Sequence, residues 1–184
     1  MGADAPVYLV DHVVDHEGDV RQWRRFRYDS PSSDSQHSGT RDPDGTVHVD
    51  GTPAPALSDA VGAYSEHLVL TQMIGGDTDA VSYLQFDESE PEEDPQAAEL
   101  HRRGTEAIEL LDGSIVDAER VQLVLAGRPT NAHWCVDGVV VKSDWRGAQS
   151  FLVDDPDAVC AGVDSEVAAR IREFAAQAVT NLGN

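Results

Sequence analysis

The sequence has little lysine, little cysteine and no long apolar run. Lys142 is its only lysine, and its two cysteines, Cys135 and Cys160, form no CxxC pair. No run approaches the roughly 18 apolar residues that indicate a membrane-spanning helix. The N-terminus lacks a basic, signal-like start, and Asp4 and Asp11 interrupt its apolar residues. These absences argue against a disulfide framework and a membrane protein, and they favour a reduced, cytoplasmic setting.

Motifs of the common enzyme classes are missing as well. The chain has no P-loop, no GxGxxG following a strand, no GxSxG nucleophile elbow and no HExxH zinc motif. We therefore predict no catalytic residue, no cofactor and no metal, and we lean towards a protein that is not an enzyme.

The charge is strongly one-sided. Asp and Glu number 34 against 13 Lys and Arg, which gives a formal charge of −21 at pH 7. Like charges at this density repel one another and destabilise the compact state at ordinary ionic strength. At about 1 M salt the Debye length falls to roughly 3 Å, which screens most of that repulsion. We therefore expect a halophilic protein of a high-salt cytoplasm, in preference to an acidic protein of a GC-rich bacterium.

Periodicity and turn signals predict one α+β domain over residues 1–184. We expect a mainly antiparallel sheet with about three helices packed on it, in the order β-β-β-α-β-α-β-β-β-α. The helices are expected at residues 58–74, 94–111 and 165–182. The second has the clearest start signal, because Asp94 can cap it and Pro95 suits the first helical position.

The expected strands and loops complete this order. Strands are expected at residues 7–14, 20–28, 46–49, 80–86, 120–127 and 149–153. A hairpin is expected at residues 133–142, because Asp137-Gly138 favours a type I′ turn. Residues 29–45 have the composition of a mobile loop, and residues 87–94 that of a solvated acidic connector.

Positive charge is concentrated in the seven residues 21–27, which we call, together with Tyr28, the arginine segment. The residues expected to bind a ligand or partner are Arg21, Trp23, Arg24, Arg25, Arg27 and Tyr28. Guanidinium groups bind phosphate or carboxylate, and aromatic rings stack on bases. On a regular strand, one face would carry Arg21, Trp23, Arg25 and Arg27, and the other Gln22, Arg24, Phe26 and Tyr28. In so acidic a chain, pairing of these arginines with neighbouring carboxylates is the simpler interpretation.

Histidine and cysteine supply two further candidate pairs. His12 and His16 have a metal-ligating spacing for a helix, but on the expected strand they lie roughly 13 Å apart and are interpreted as solvated turn residues. His133 and Cys135 share one face of the expected hairpin with Lys142, while the face of Trp134 is expected in the core. A thiolate beside histidine and lysine can be nucleophilic, yet no third orienting residue is identifiable. Whether either pair binds a metal stays open.

These observations favour a non-catalytic binding or regulatory domain acting through protein–protein contacts. Its partner would be another protein or a second copy of the chain, bound by the arginine segment. The first alternative is an enzyme or sensor that binds a small anionic ligand, such as a nucleotide, in a pocket bordered by Arg24 or Arg27. The second is a nucleic-acid-associated regulator, which the charge of −21 disfavours.

Overall fold

A computed structural model describes residues 10–16, 18–30, 33–76, 78–153, 157, 160 and 162–181. In this part of the chain, six strands precede a helix, and six more strands precede a second helix. The strands are β1 (Asp11–His16), β2 (Trp23–Ser30), β3 (Ser35–Arg41), β4 (Val47–Val49), β5 (Thr52–Pro53), β6 (Ala60–Gly62), β7 (Ala80–Phe86), β8 (Gln96–Glu109), β9 (Ile115–Leu125), β10 (Arg128–Val136), β11 (Val139–Trp145) and β12 (Ala148–Phe151). The helices are α1 (Glu66–Ile74) and α2 (Ser165–Asn181).

The strands form two sheets. The first has the order β1-β2-β3-β4-β5, and all its neighbours are antiparallel. The second is curled and has the order β12-β11-β10-β9-β8-β7-β6, with one parallel pair, β6 with β7. No helix in the described residues is both long enough and apolar enough to cross a bilayer.

The expected fold class is wrong. The described residues are mostly β-structure in two sheets, one of them mixed, and the α-helices whose bounds they give are two, instead of about three on a mainly antiparallel sheet. The largest error is residues 94–111, which form β8 and the start of its turn instead of a helix. Ladder hydrogen bonds to β9 and β7 outweigh the local helix propensity of this segment. Gly104, with φ at +90°, lies where the register with β9 shifts, which is a bulge position.

Elements that depend on local signals agree better with expectation. Residues 80–86 form β7 as predicted, and α2 begins at Ser165 as predicted. The hairpin of β10 and β11 is confirmed, since Asp137 and Gly138 have φ of 51° and 82°, as a type I′ turn requires. The expected helix at residues 58–74 is helical only from Glu66, and β6 lies before it. The segment expected as a loop at residues 29–45 contains β3.

A bulge changes the faces of the arginine segment. Trp23 pairs with His16 of β1 and Arg25 pairs with Asp15, so Arg24 is the additional residue. Trp23 therefore faces inward with Phe26, while Arg24 and Arg25 are both exposed. The regular alternation expected from the sequence is wrong at this point.

Two groups of buried side chains form the core. One fills the space between α1 and the second sheet and includes Leu70, Leu100 and Leu123. The other joins the two sheets through Trp23 and Phe86. Burial of each such large side chain contributes roughly 1.5–3 kcal/mol, so these contacts hold the sheets and α1 in their relative positions.

Arg102 of β8 fixes the carboxyl end of α1. Its guanidinium donates hydrogen bonds to the carbonyls of Met73, Ile74 and Gly76 at 3.0–3.1 Å. It also donates to Glu119 Oε1 at 2.7 Å. The last carbonyls of a helix have no partner within the helix, and a cation is favourable at that end. Arg102 thus ties α1 to the sheet and helps to position Glu66 at its opposite end.

Candidate functional site

A pocket of about 600 Å³ lies beside α1 and the second sheet. Leu123, Leu125 and Val140 contribute apolar side chains to its lining, and Trp145 contributes an aromatic one. The polar lining residues include Glu66, Gln85, Asn131, His133 and Ser143. The site therefore combines an apolar recess with a few polar groups.

Four of these polar side chains form one continuous hydrogen-bond series, which we call the Ser143–Gln85 series. Ser143 Oγ lies 2.9 Å from His133 Nδ1, and His133 Nε2 lies 2.5 Å from Glu66 Oε1. Glu66 Oε2 accepts a hydrogen bond of 3.0 Å from Gln85 Nε2. All four residues are buried, with 2–6% of their surface exposed. Buried polar groups cost several kcal/mol when unpaired, so this series is favourable only because its members satisfy one another.

Separate elements bring the series together. Glu66 is the first residue of α1, where a negative charge is favourable against the helix dipole. Gln85 comes from β7. His133 of β10 lies directly opposite Ser143 of β11, because a bulge between Trp134 and Cys135 shifts the register by one residue. Without that shift, the two-residue turn would place Lys142 opposite His133, as regular strand pairing predicts.

Ionisable groups around the pocket are shifted by burial. Burial, and then the charge of Glu66, raises the pKa of the Tyr83 hydroxyl, whose oxygen lies 3.3 Å from Gln85 Nε2. Burial is also the main reason that the pKa of the Cys135 thiol rises to about 11. Both groups are therefore neutral near pH 7. Three acidic residues, Glu66, Asp87 and Glu93, line the pocket together with one arginine, Arg146.

A second buried carboxylate lies just outside this lining. Glu88 is fully buried, although the composition of residues 87–94 predicts a solvated connector. Its carboxylate oxygens each lie 3.2 Å from the backbone nitrogen of Tyr64, which donates to them. His12 Nε2 lies 3.1 Å from Glu88 Oε1, an ion-pair distance without hydrogen-bond alignment. A Cβ on residue 62 would overlap Glu88 Oε1, so Gly62 leaves the space that this carboxylate occupies.

The arginines of the segment lie outside the pocket lining, whereas the ring of Tyr28 packs against that of Tyr64, a lining residue, with 5.3 Å between the centroids. Trp23 and Tyr28 are buried, and the Trp23 indole N–H donates to the Ala60 carbonyl at 2.9 Å. Arg21 is paired with Asp19, and Arg25 lies 3.4 Å from Asp15. Pairing with neighbouring carboxylates is therefore observed for these two arginines. None of the described lining residues of the 600 Å³ pocket belongs to the segment.

The two histidine- and cysteine-containing candidate pairs have surroundings that differ from those expected from the sequence. Both His133 and Cys135 face inward, so the expectation that the face of Trp134 forms the core is wrong. Cys135 lies opposite Val140 and takes no part in the Ser143–Gln85 series. His12 and His16 belong to β1, with His12 against Glu88 instead of in a solvated turn. Among the residues that the structure describes, no three His, Cys, Asp or Glu side chains are placed to hold a metal ion.

No local sequence pattern indicates Glu66, Gln85 or Ser143 as residues of the site. Glu66 lies 67 positions from its partner His133, and no local pattern connects them. The position of Ser143 opposite His133 depends on the bulge in β10, which no turn signal in the sequence indicates.

The chain matches no protein-family model, no curated protein and no solved structure. A fold by itself does not imply a function, so the chemistry of the site has to indicate it.

Proposed function

We propose that the chain binds a small, neutral and largely apolar molecule in the pocket beside α1. The observation that carries this proposal is the Ser143–Gln85 series, which places a few convergent polar groups in an apolar recess. Ligand sites share this combination, and their volumes are usually about 300–1,000 Å³. The 600 Å³ of this pocket suits a molecule of ordinary metabolite or drug size.

The charge of the lining favours a neutral ligand over an anionic one. Glu66, Asp87 and Glu93 outnumber the one arginine, Arg146. An anion entering the pocket would meet these carboxylates in a chain that already carries a formal charge of −21. A small anionic ligand at Arg24 or Arg27 also lacks support, because neither residue lines the pocket.

The positions of the polar groups suggest how the ligand lies. Its apolar body packs against Leu123, Leu125 and Val140. Its polar end meets Ser143 and Gln85, since both side chains can donate and accept hydrogen bonds. Molecules such as medium-chain alcohols, ketones or esters fit this description.

A neutral dye tests the proposal. N-phenyl-1-naphthylamine fluoresces strongly in apolar surroundings and should bind the wild-type protein saturably in molar KCl, with competition by medium-chain alcohols. Val140→Trp fills the pocket and should abolish binding. Val139→Trp is the matched control, because Val139 is the neighbouring residue, is exposed and does not line the pocket. Circular dichroism verifies that both variants are folded.

Equal binding by wild type, Val140→Trp and Val139→Trp would place the dye elsewhere and contradict the proposal. Absence of saturable binding to the wild-type protein, with this dye and with uncharged alcohols, would contradict it as well.

A protein partner at the arginine segment is a second proposal. The bulge in β2 supports it, because Arg24 and Arg25 are neighbouring exposed residues on the outer side of the first sheet. The double variant Arg24→Glu, Arg25→Glu should lose partners that the wild-type chain retains in a pull-down at molar salt. Arg103→Glu, an exposed arginine on β8, is the matched control. Retention of every partner by the double variant would contradict this proposal.

A further inference from the structure

Three groups on one side of the pocket have the connectivity that activates serine in acyl-transfer enzymes. Ser143, His133 and Glu66 converge from β11, β10 and α1, and all three line the pocket. The distances between their linked atoms are 2.9 Å and 2.5 Å. We infer that Ser143 is a nucleophile and that the pocket hydrolyses neutral, largely apolar carboxylic esters. This inference rests on the proposed binding function of the same pocket.

The protons can be assigned from the partners. A carboxylate only accepts hydrogen bonds, so Glu66 requires the imidazole proton on His133 Nε2. His133 Nδ1 is then free of a proton and accepts one from the Ser143 hydroxyl. Enzymes with a Ser-His-Asp triad use the two ring nitrogens the other way round, with the acid at Nδ1. The roles are preserved here, because one nitrogen is held by the acid and the other faces the serine.

The reaction balances with water as the only co-reactant. Ser143 Oγ attacks the ester carbonyl carbon while its proton passes to His133 Nδ1. The bond from the carbonyl carbon to the alcohol oxygen then breaks, and the alcohol leaves with that proton. Water attacks the resulting acyl-serine ester and gives its proton to Nδ1. That proton returns to Ser143 Oγ as the carboxylic acid is released.

Two side chains can donate hydrogen bonds to the negatively charged oxygen that develops during attack on the ester carbonyl. The Asn131 amide and the Arg146 guanidinium both line the pocket. Hydrogen-bond donors aimed at such an oxygen typically contribute about 10²- to 10³-fold to the rate.

A buried hydrogen-bond series can also act only to stabilise the fold. A covalent probe distinguishes that structural role from the activation of Ser143 as a nucleophile. A fluorophosphonate bearing a fluorophore phosphonylates an activated serine far faster than an ordinary one: Oγ attacks phosphorus, fluoride leaves and the proton passes to the base. The experiment compares wild type, Ser143→Ala and Ser82→Ala in molar KCl. Ser82 is an exposed strand serine outside this pocket and is the matched control. Hydrolysis of p-nitrophenyl butyrate and binding of N-phenyl-1-naphthylamine are measured on the same samples.

The expected result is one adduct on the wild-type chain, which peptide mass mapping places at Ser143 independently of any variant. Ser82→Ala should label as wild type does. Ser143→Ala should not label, and its hydrolysis rate should fall by at least about 100-fold. A folded wild-type chain that binds the dye but neither labels nor hydrolyses the ester overturns this inference and leaves the binding proposal intact. An adduct at another residue also overturns the inference. If the folded wild-type chain neither binds the dye nor reacts with the fluorophosphonate, both the binding proposal and the inference are contradicted.

Discussion

His133 Nε2 lies 2.5 Å from Glu66 Oε1, with each side chain only 3% exposed. The pair joins β10 to the first turn of α1 across 67 positions of sequence. It also stands at the centre of the Ser143–Gln85 series, so both the shape of the pocket and its chemistry depend on it.

Removing the acid of this pair should cost far more than removing the acid of an exposed pair. Glu66→Ala leaves the buried ring of His133 without its acceptor at Nε2 and removes one of the two acceptors of the Gln85 amide. Each buried donor left without an acceptor typically costs about 1–3 kcal/mol of unfolding free energy, and the space emptied by the side chain adds to that cost. The exposed pair of His101 and Glu99, at 2.9 Å, provides the matched control. Glu99→Ala should cost no more than about 1 kcal/mol.

Urea unfolding in molar KCl measures both changes. Equal losses of unfolding free energy for Glu66→Ala and Glu99→Ala would show that the buried pair contributes nothing beyond a surface contact.

Arg102 should not tolerate replacement by lysine. The planar guanidinium reaches three carbonyls at the end of α1 and also Glu119, whereas an ammonium group cannot reproduce that fork. Arg102→Lys should therefore lower the unfolding free energy by about 1.5–3 kcal/mol. Arg103→Lys, at the exposed neighbouring position, should change it by less than about 0.5 kcal/mol. Thermal and urea unfolding measure the difference, and similar values for the two variants would refute the role assigned to Arg102.

A methyl group on residue 62 should disturb Glu88. Because that methyl would overlap Glu88 Oε1, Gly62→Ala should destabilise the fold by about 1–3 kcal/mol. At Gly75, by contrast, a Cβ would make only ordinary contacts at 3.5 Å or beyond. Gly75→Ala should therefore be neutral or stabilising. Unfolding free energies give the comparison, and a harmless Gly62→Ala would contradict the position of the Glu88 side chain.

Cys135 should be unreactive in the folded protein. Burial, and then the charge of Glu119, raises its pKa to about 11, so the thiol keeps its proton at pH 8. Only the thiolate reacts readily, and an ordinary thiol has a pKa near 8.5. Iodoacetamide at pH 8 should alkylate Cys135 only after unfolding, whereas the exposed thiol introduced by Ser82→Cys should react at once. Peptide mass mapping separates the two sites, and comparable rates at Cys135 and at the introduced thiol would show that Cys135 is accessible.

Local signals predicted part of this fold and non-local contacts determined the rest. The turn at Asp137-Gly138 was predictable because a type I′ turn requires positive φ at two adjacent residues, and aspartate followed by glycine is a preferred pair at these positions. Residues 94–111 carried a helix start signal, yet their pairing with β9 made them a strand. The site depended even more on distant contacts. His133 was identified as a candidate, but its partners Glu66 and Ser143 depend on the placement of α1 and on a one-residue bulge.

The location of ligand binding tests the central claim most directly. At 19.9 kDa the chain is small enough for methyl and amide NMR spectra to follow individual groups. During titration with N-phenyl-1-naphthylamine, we expect the methyl signals of Leu123, Leu125 and Val140 to shift saturably, with the amides of Arg24 and Arg25 unchanged. Shifts confined to the arginine segment, or an unchanged spectrum at saturating dye, would contradict a ligand pocket beside α1.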